Sequence, residues 1–269
     1  MTKKTKRKAL GQHFLKNKTV LNKILRRISP QKKDLIIEIG AGRGVLTFPL
    51  AEKAGKVIAI EKDPALIPYL QRRDFPNLTI LEKDIMKVDF RELLKHMKDF
   101  RENVKLVGNL PYSLSSPLLF KVLEERELFS ECIFLLQKEV AQRLCGQPGS
   151  KIYAPLSIIF QIHFLIELHF IVPPECFSPP PKVDSGLVSL KRRERPLYSL
   201  ENEELFRNFL KGAFMHRRKI LRKNLEKLDI PLPVVDRACR KFGIARNSRP
   251  EQLPISRFVD LFHYFSSSE

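Results

Sequence analysis

The sequence predicts an α/β protein: a parallel sheet with helices on both faces, followed by a small all-helical domain. Three observations carry this. Five short runs rich in Ile, Val and Leu recur between residues 34 and 136, and helix-length stretches separate them. Past residue 200 no strand-like run is evident, and apolar residues recur at helical spacing. A strand covered on both faces reads as a continuous apolar run, and regular strand–helix alternation implies right-handed βαβ crossovers.

Taken in order, "NKTVLNKILRRI" (17–28) puts Val20, Leu21, Ile24, Leu25 and Ile28 on one helical face and Lys23, Arg26 and Arg27 elsewhere, so this helix packs and also presents charge. The predicted strands are 34–40, 56–63, 78–84, 104–109 and 131–136, with helices over 44–54, 64–73 and 89–97 between them. Pro49 inside the first of those helices is a penalty the sequence does not explain. "FQIHFLIELHFIV" (160–172) and "GLVSLKRR" (186–193) read as further strands, joined through a Pro-rich loop. Composition changes at 191–203, which places a boundary near 193–200 and divides the chain into 1–195 and 196–269. In the second part Leu205, Phe206, Phe209, Leu210, Phe214, Leu221 and Leu225 mark the buried helical faces. No internal repeat is visible.

The 269-residue chain carries a formal net charge of +19. A fold does not require that surplus, so a polyanion is the expected partner, nucleic acid before a membrane surface. Residues 1–33 hold twelve Lys or Arg and no acid, and "HRRKILRK" (216–223) is a second dense run. Both are expected to hold nucleic-acid phosphates, with affinity falling steeply in salt. The N-terminus lacks the apolar core of a signal peptide and reads as mature protein. The most apolar window, 153–172, is interrupted by Gln161, His163, Glu167 and His169, too polar for a membrane span. Cys132, Cys145, Cys176 and Cys239 follow neither metal-ligand nor disulfide spacing. A reduced, cytoplasmic setting without a metal is expected.

"EIGAGRGVLT" (38–47) ends a strand in Gly40-x-Gly42-x-Gly44 and opens a helix. Glycine there lets backbone approach a ligand. Dinucleotide enzymes space these glycines G-x-G-x-x-G, so the present spacing shifts the expectation to S-adenosylmethionine, with a plain strand-to-helix turn as the alternative. Glu61 follows about 20 residues on at the end of the next strand, where an acid accepts ribose hydroxyls. Asp84 ends the third strand, so three loops converge on the crevice where open α/β sheets bind ligands.

"GNLPYSLSSP" (108–117) brings a fourth strand to the same rim. Methyl transfer from a sulfonium needs little acid or base help, but an adenine amine is a poor nucleophile because its lone pair is delocalised into the ring. Two fixed acceptors for its N–H groups would aim that lone pair at the methyl carbon. Asn109 offers a side-chain carbonyl, Pro111 rigidifies the turn that presents the Leu110 carbonyl, and Tyr112 offers a face for stacking.

"GQHFL" (11–15), "EIGAGRGVLT", "GNLPYSLSSP", "LLQKEVAQRL" (135–144), "CFSPPPKVDS" (176–185) and "FMHRRKILRKNL" (214–225) together resemble the small-subunit ribosomal RNA adenine dimethyltransferases of the KsgA type, from about residue 8 to 260 and in the same order. The resemblance implies a Rossmann-like methyltransferase sheet and S-adenosylmethionine-dependent dimethylation of the N6 amines of two adjacent adenosines, in a hairpin loop near the 3′ end of small-subunit rRNA. It implies cofactor contacts at His13, Leu15, Gly40, Gly42, Glu61, Asp84 and Asn109. Where His13 stands, bacterial members often have Asn. It places Asn109, Leu110, Pro111 and Tyr112 around the target base, with Phe177 on the base's other face, although the residues alone read Phe177 as core. A monomer acting on rRNA and the pre-small ribosomal subunit is expected. The alternatives are the related large-subunit rRNA methyltransferases of antibiotic resistance and a non-catalytic RNA-binding assembly factor.

Overall fold

The computed structural model describes residues 12–100, 102–216 and 218–267. The basic arm up to Gly11 and Arg217 of the second basic run therefore lie outside the described residues. The described residues open with a two-residue strand, β1 (Phe14–Leu15), and helix α1 (Lys18–Ile28). Asn17 starts α1 by accepting from the Val20 N–H, and Ser29 ends it in the left-handed region at φ 46°. Ile24 and Ile28 are buried in the core. Arg27, expected to present charge, is spent internally instead, donating to Glu131 Oε1 at 2.6 Å and His169 Nε2 at 2.7 Å.

Six further segments build the sheet with a seventh: β2 (Leu35–Ile39), β3 (Lys56–Glu61), β4 (Leu78–Glu82), β5 (Val104–Asn109), β6 (Glu131–Gln137), β7 (Phe164–Val172) and β9 (Ser185–Arg192), while β8 (Phe177–Ser178) lies outside it. The order is β4-β3-β2-β5-β6-β9-β7. The first five strands are parallel, with Ile37 of β2 between Ile58 of β3 and Leu106 of β5. The sheet is nevertheless mixed, because β9 runs antiparallel to β6. The chain enters β9 from the Pro-rich loop, which supplies no crossover helix and imposes no parallel return. Strand succession reverses between β2 and β5, so the crevice at their carboxyl ends is a topological switch point.

Two local readings change. Helix α2 (Thr47–Lys53) begins three residues later than expected, which puts Pro49 in its first turn. There a missing N–H costs nothing, since those donors have no helical acceptor. Residues 160–163 are not strand. They finish a helix, Pro155–His163, that starts on a proline and has the Ala154 N–H bonded to Ser157 Oγ at 3.1 Å. An apolar run of this length fits either structure until its start signal is weighed.

The chain forms two compact units. One comprises the sheet unit up to Ala141 with Leu165–Arg192; the other takes Gln142–Phe164 with Arg193 onward. The 142–164 segment thus joins the C-terminal helices, whereas the sequence division at 195 left it with the sheet. In this second unit Phe206, Phe209, Leu210, Phe214, Leu221 and Leu225 are buried as expected, and Phe206 meets Phe262 edge-on at 5.2 Å. Leu205 is 55% exposed, on the outer side of its helix's first turn. The basic run is partly neutralised: Arg222 grips Asp236 in a bidentate pair at 2.6 and 2.8 Å, and Lys223 pairs with Glu226 at 3.1 Å.

Candidate active site

Ten of the eleven residues singled out in the sequence line one crevice of about 290 Å³: His13, Gly40, Gly42, Glu61, Asp84, Asn109, Leu110, Pro111, Tyr112 and Phe177. Leu15 lines a smaller cavity behind it, beside Glu38 and Leu46. The crevice is drawn from the carboxyl ends of β2, β3, β4 and β5, with the β1 segment across it.

The glycine turn leaves β2 with Gly40 at φ +69° and Gly42 at φ +61°. A Cβ on Gly42 would also lie 3.2 Å from the Phe14 ring, so close approach and backbone conformation both select glycine there. The turn is held from below by Glu61, whose Oε2 accepts from the Gly42 N–H and whose Oε1 accepts from the Asp63 N–H, each at 2.8 Å. Glu61 is only 5% exposed and has no cationic partner among the described residues. One lone pair per oxygen remains for a ligand. Asp84 caps the turn after β4, with Oδ1 accepting from the Met86 N–H and Oδ2 from Lys62 Nζ at 2.7 Å. The Lys62 ammonium, followed by the Met86 N–H, holds its carboxyl below the usual range.

Asn109 ends β5. Its Nδ2 donates to the His13 carbonyl at 2.7 Å, which fixes the amide and leaves Oδ1 as its acceptor end. The Leu110 N–H is bound to the Leu135 carbonyl, and the Pro111 carbonyl accepts from Leu114 and Ser115. The Leu110 carbonyl itself is used by no hydrogen bond among the described residues. The Tyr112 hydroxyl bonds Ser185 Oγ at 3.0 Å and donates to the Val183 carbonyl at 3.3 Å, and burial pushes its pKa up. Its ring lies 5.7 Å from that of His13, whose Nδ1 donates to the Pro179 carbonyl at 2.8 Å.

β8 pairs with β1 in a two-stranded ribbon that matches Leu15 with Phe177. Phe177 is 1% exposed and belongs to a hydrophobic core cluster with Ile133, Leu135 and Leu187, so its ring forms crevice wall and core at once. Sequence reasoning missed Gln12, Phe14, Ile60, Lys62, Ile85 and Met86 in the lining. Ile60 and Ile85 offer no signal, because apolar residues at strand ends read as core. Gln12 stands inside the quoted "GQHFL", and its buried Oε1 has no hydrogen-bond partner among the described residues. No cysteine lines the crevice, and burial pushes the Cys132 thiol well up. Among the described residues no group of three or more His, Cys, Asp and Glu could hold a metal, and no helix is long and apolar enough to cross a membrane.

A family model described as "Ribosomal RNA adenine dimethylase" matches residues 3–267. The ribosomal RNA small subunit methyltransferase A of Geobacter metallireducens is 40% identical over 259 residues, covering 95% of this chain and 94% of that protein. Among solved structures, a dimethyladenosine transferase from Plasmodium falciparum superposes with a TM-score of 0.80 at 28% identity, covering 95% of this chain and 98% of its own. The 23S rRNA methyltransferase ErmE superposes at 0.72 with 22% identity, a likeness of fold over 94% of this chain and 99% of that one.

Proposed function

The chain belongs to the ribosomal RNA adenine dimethylase family and is an S-adenosylmethionine-dependent small-subunit rRNA methyltransferase, and from that premise we propose that the crevice dimethylates the N6 amines of two adjacent adenosines in the 3′-terminal hairpin loop. The observation that carries this reading is the pair of unused acceptors, Asn109 Oδ1 and the Leu110 carbonyl, on consecutive residues of one rigid turn.

The lining suits the cofactor. Glu61 and Asp84 present carboxylate oxygens, and Gln12 Oε1 is a buried acceptor without a donor, which together match a cationic ligand rich in O–H and N–H groups. Glu61 would hold the ribose hydroxyls, Asp84 the adenine amine, and the Gly40–Gly42 backbone the methionine end, with His13 and Leu15 closing that side. When bound, the cofactor supplies an electrophilic methyl group on a sulfonium with a neutral leaving group.

The chain's own work is then placement. Asn109 Oδ1 and the Leu110 carbonyl accept from the two N–H groups of the target amine and favour a pyramidal nitrogen. Tyr112 stacks on the base, worth about 1–3 kcal/mol, and keeps its plane because its hydroxyl is pinned to the start of β9. Phe177 backs the site as wall. Transfer is direct, since the crevice offers no cysteine as a covalent nucleophile. The target base leaves its stack to enter, at a cost of a few kcal/mol that is smallest in a loop. We further assign methyl transfer to the sheet unit and RNA contact to the basic arm and the helical unit, in a cytoplasmic monomer acting on the pre-small subunit, where a role in assembly can accompany catalysis.

The test is transfer of labelled methyl groups to undermethylated small subunits, with mass analysis of the digested nucleosides. The wild type should yield N6,N6-dimethyladenosine. Asn109→Ala should bind RNA normally while turnover falls by roughly 10²–10³, the usual cost of one preorganised hydrogen-bonding group. Full activity in that variant would overturn the positioning argument.

A further inference from the structure

Beside the crevice mouth three arginines lie on aromatic rings. The Arg43 guanidinium, exposed on the glycine turn, is 5.2 Å from the ring centre of Phe14 and 5.4 Å from that of Tyr69. Arg72 covers Tyr69 too, at 4.5 Å, and the adjacent Arg73 covers Phe48 at 5.1 Å. Phe14 lines the crevice, so the row of cations begins at its rim.

Three features give this surface a direction. Arg73 has a carboxylate, Glu52, at 3.8 Å, but Arg43 and Arg72 have none within ion-pair distance among the described residues. Two cations converging on one tyrosine ring repel each other, and an anion between them would relieve that repulsion. A guanidinium drawn to an aromatic ring spends none of its five N–H donors on that contact, which leaves them for a phosphate.

Resting on the function proposed above, we infer that Arg43 and Arg72 form a phosphodiester site for the RNA strand flanking the target adenosine, continuous with the crevice and in addition to the two basic runs singled out in the sequence. The strand's backbone is led to the crevice along the glycine turn. An RNA backbone fits better than a protein acid because a chain with a net charge of +19 already has a polyanionic substrate to hold.

The test uses the full-length chain, an RNA hairpin carrying the target loop, and binding measured from low to moderate salt. Arg43→Gln with Arg72→Gln should weaken binding by about tenfold at moderate salt and flatten the log–log salt slope by about 1.4, two contacts at about 0.7 each on a single strand. Cofactor affinity should be unchanged. Arg91→Gln with Lys95→Gln, which removes the same charge from an exposed stretch that contributes no lining to the crevice, should leave the slope within half of that change. An unaltered slope in the first variant, or an equal loss in the control, would overturn the inference. Weaker cofactor binding with intact RNA binding would also overturn it and assign Arg43 to the cofactor's carboxylate. The wild type's own methyl transfer, run in parallel, reports separately on the proposed function.

Discussion

Glu38 sets a measurable pH dependence of stability. It is on β2, 3% exposed, beneath the glycine turn, and its Oε2 has no hydrogen-bond partner among the described residues. Burial pushes its pKa from 4.5 to about 8; the Thr47 hydroxyl opposes this and the Glu61 charge adds to it. The opposition is weak, because Thr47 Oγ1 makes no hydrogen bond of normal geometry. Between these two values the unfolded chain has lost the proton and the folded chain retains it, so folding takes up a proton and stability falls as pH rises. At about 1.4 kcal/mol per pH unit, the loss between pH 5 and 8 is on the order of 4 kcal/mol. Glu38→Gln cannot ionise and escapes this loss, whatever constant offset its amide adds. With no Trp in the chain, urea unfolding followed by far-ultraviolet circular dichroism at half-unit pH steps gives the difference curve, in which other titrating groups cancel. The variant should gain on the wild type steadily from pH 5 to 8 and level off above. A flat difference would mean that Glu38 is ionised in the fold, and the burial argument would be refuted.

Two further outcomes follow from single contacts. Glu61→Gln keeps the shape but offers one acceptor oxygen where Gly42 and Asp63 need two. It should lose about 1–3 kcal/mol of stability in urea unfolding, the cost of an orphaned buried donor, and raise the cofactor Kd by calorimetry. Tyr112→Phe should cost about 1 kcal/mol through the Ser185 bond and retain most methyl transfer, whereas Tyr112→Ala should raise KM for RNA by the lost stacking of about 1–3 kcal/mol. Equal activity in the two Tyr112 variants would remove the ring from the mechanism.

The five parallel strands were legible because burial on both faces writes itself as uninterrupted Ile, Val and Leu. Their ends were legible because Gly40, Glu61, Asp84 and Asn109 break those runs with residues that strands do not favour. What stayed hidden depended on contacts distant in sequence. Nothing in "FL" at 14–15 announces a strand, since its partner Phe177–Ser178 lies more than 160 positions on. The 160–172 run was misread because apolar continuity is common to buried helix and buried strand, and only Pro155 separates the two. Arg27 read as surface charge because Glu131 and His169, which take it up, come from strands whose register the sequence does not state.

The same distance dependence explains how the crevice works. Moving a methyl group to a neutral amine demands geometry more than proton transfer, so its polar groups must be oriented before the ligand arrives. Each is fastened by one or two bonds and keeps an acceptor or a ring face free: Glu61 by the Gly42 and Asp63 N–H groups, Asp84 by the Met86 N–H and Lys62 Nζ, Asn109 by the His13 carbonyl, Tyr112 by Ser185 and Val183. Orientation is thus settled during folding, and little is lost in ordering these side chains on binding. The fastening of Asn109 comes from 96 positions earlier in the chain, and that of Tyr112 from more than 70 later. The β1–β8 ribbon and the start of β9 are therefore parts of the proposed site, because they hold the two residues assigned above to the base.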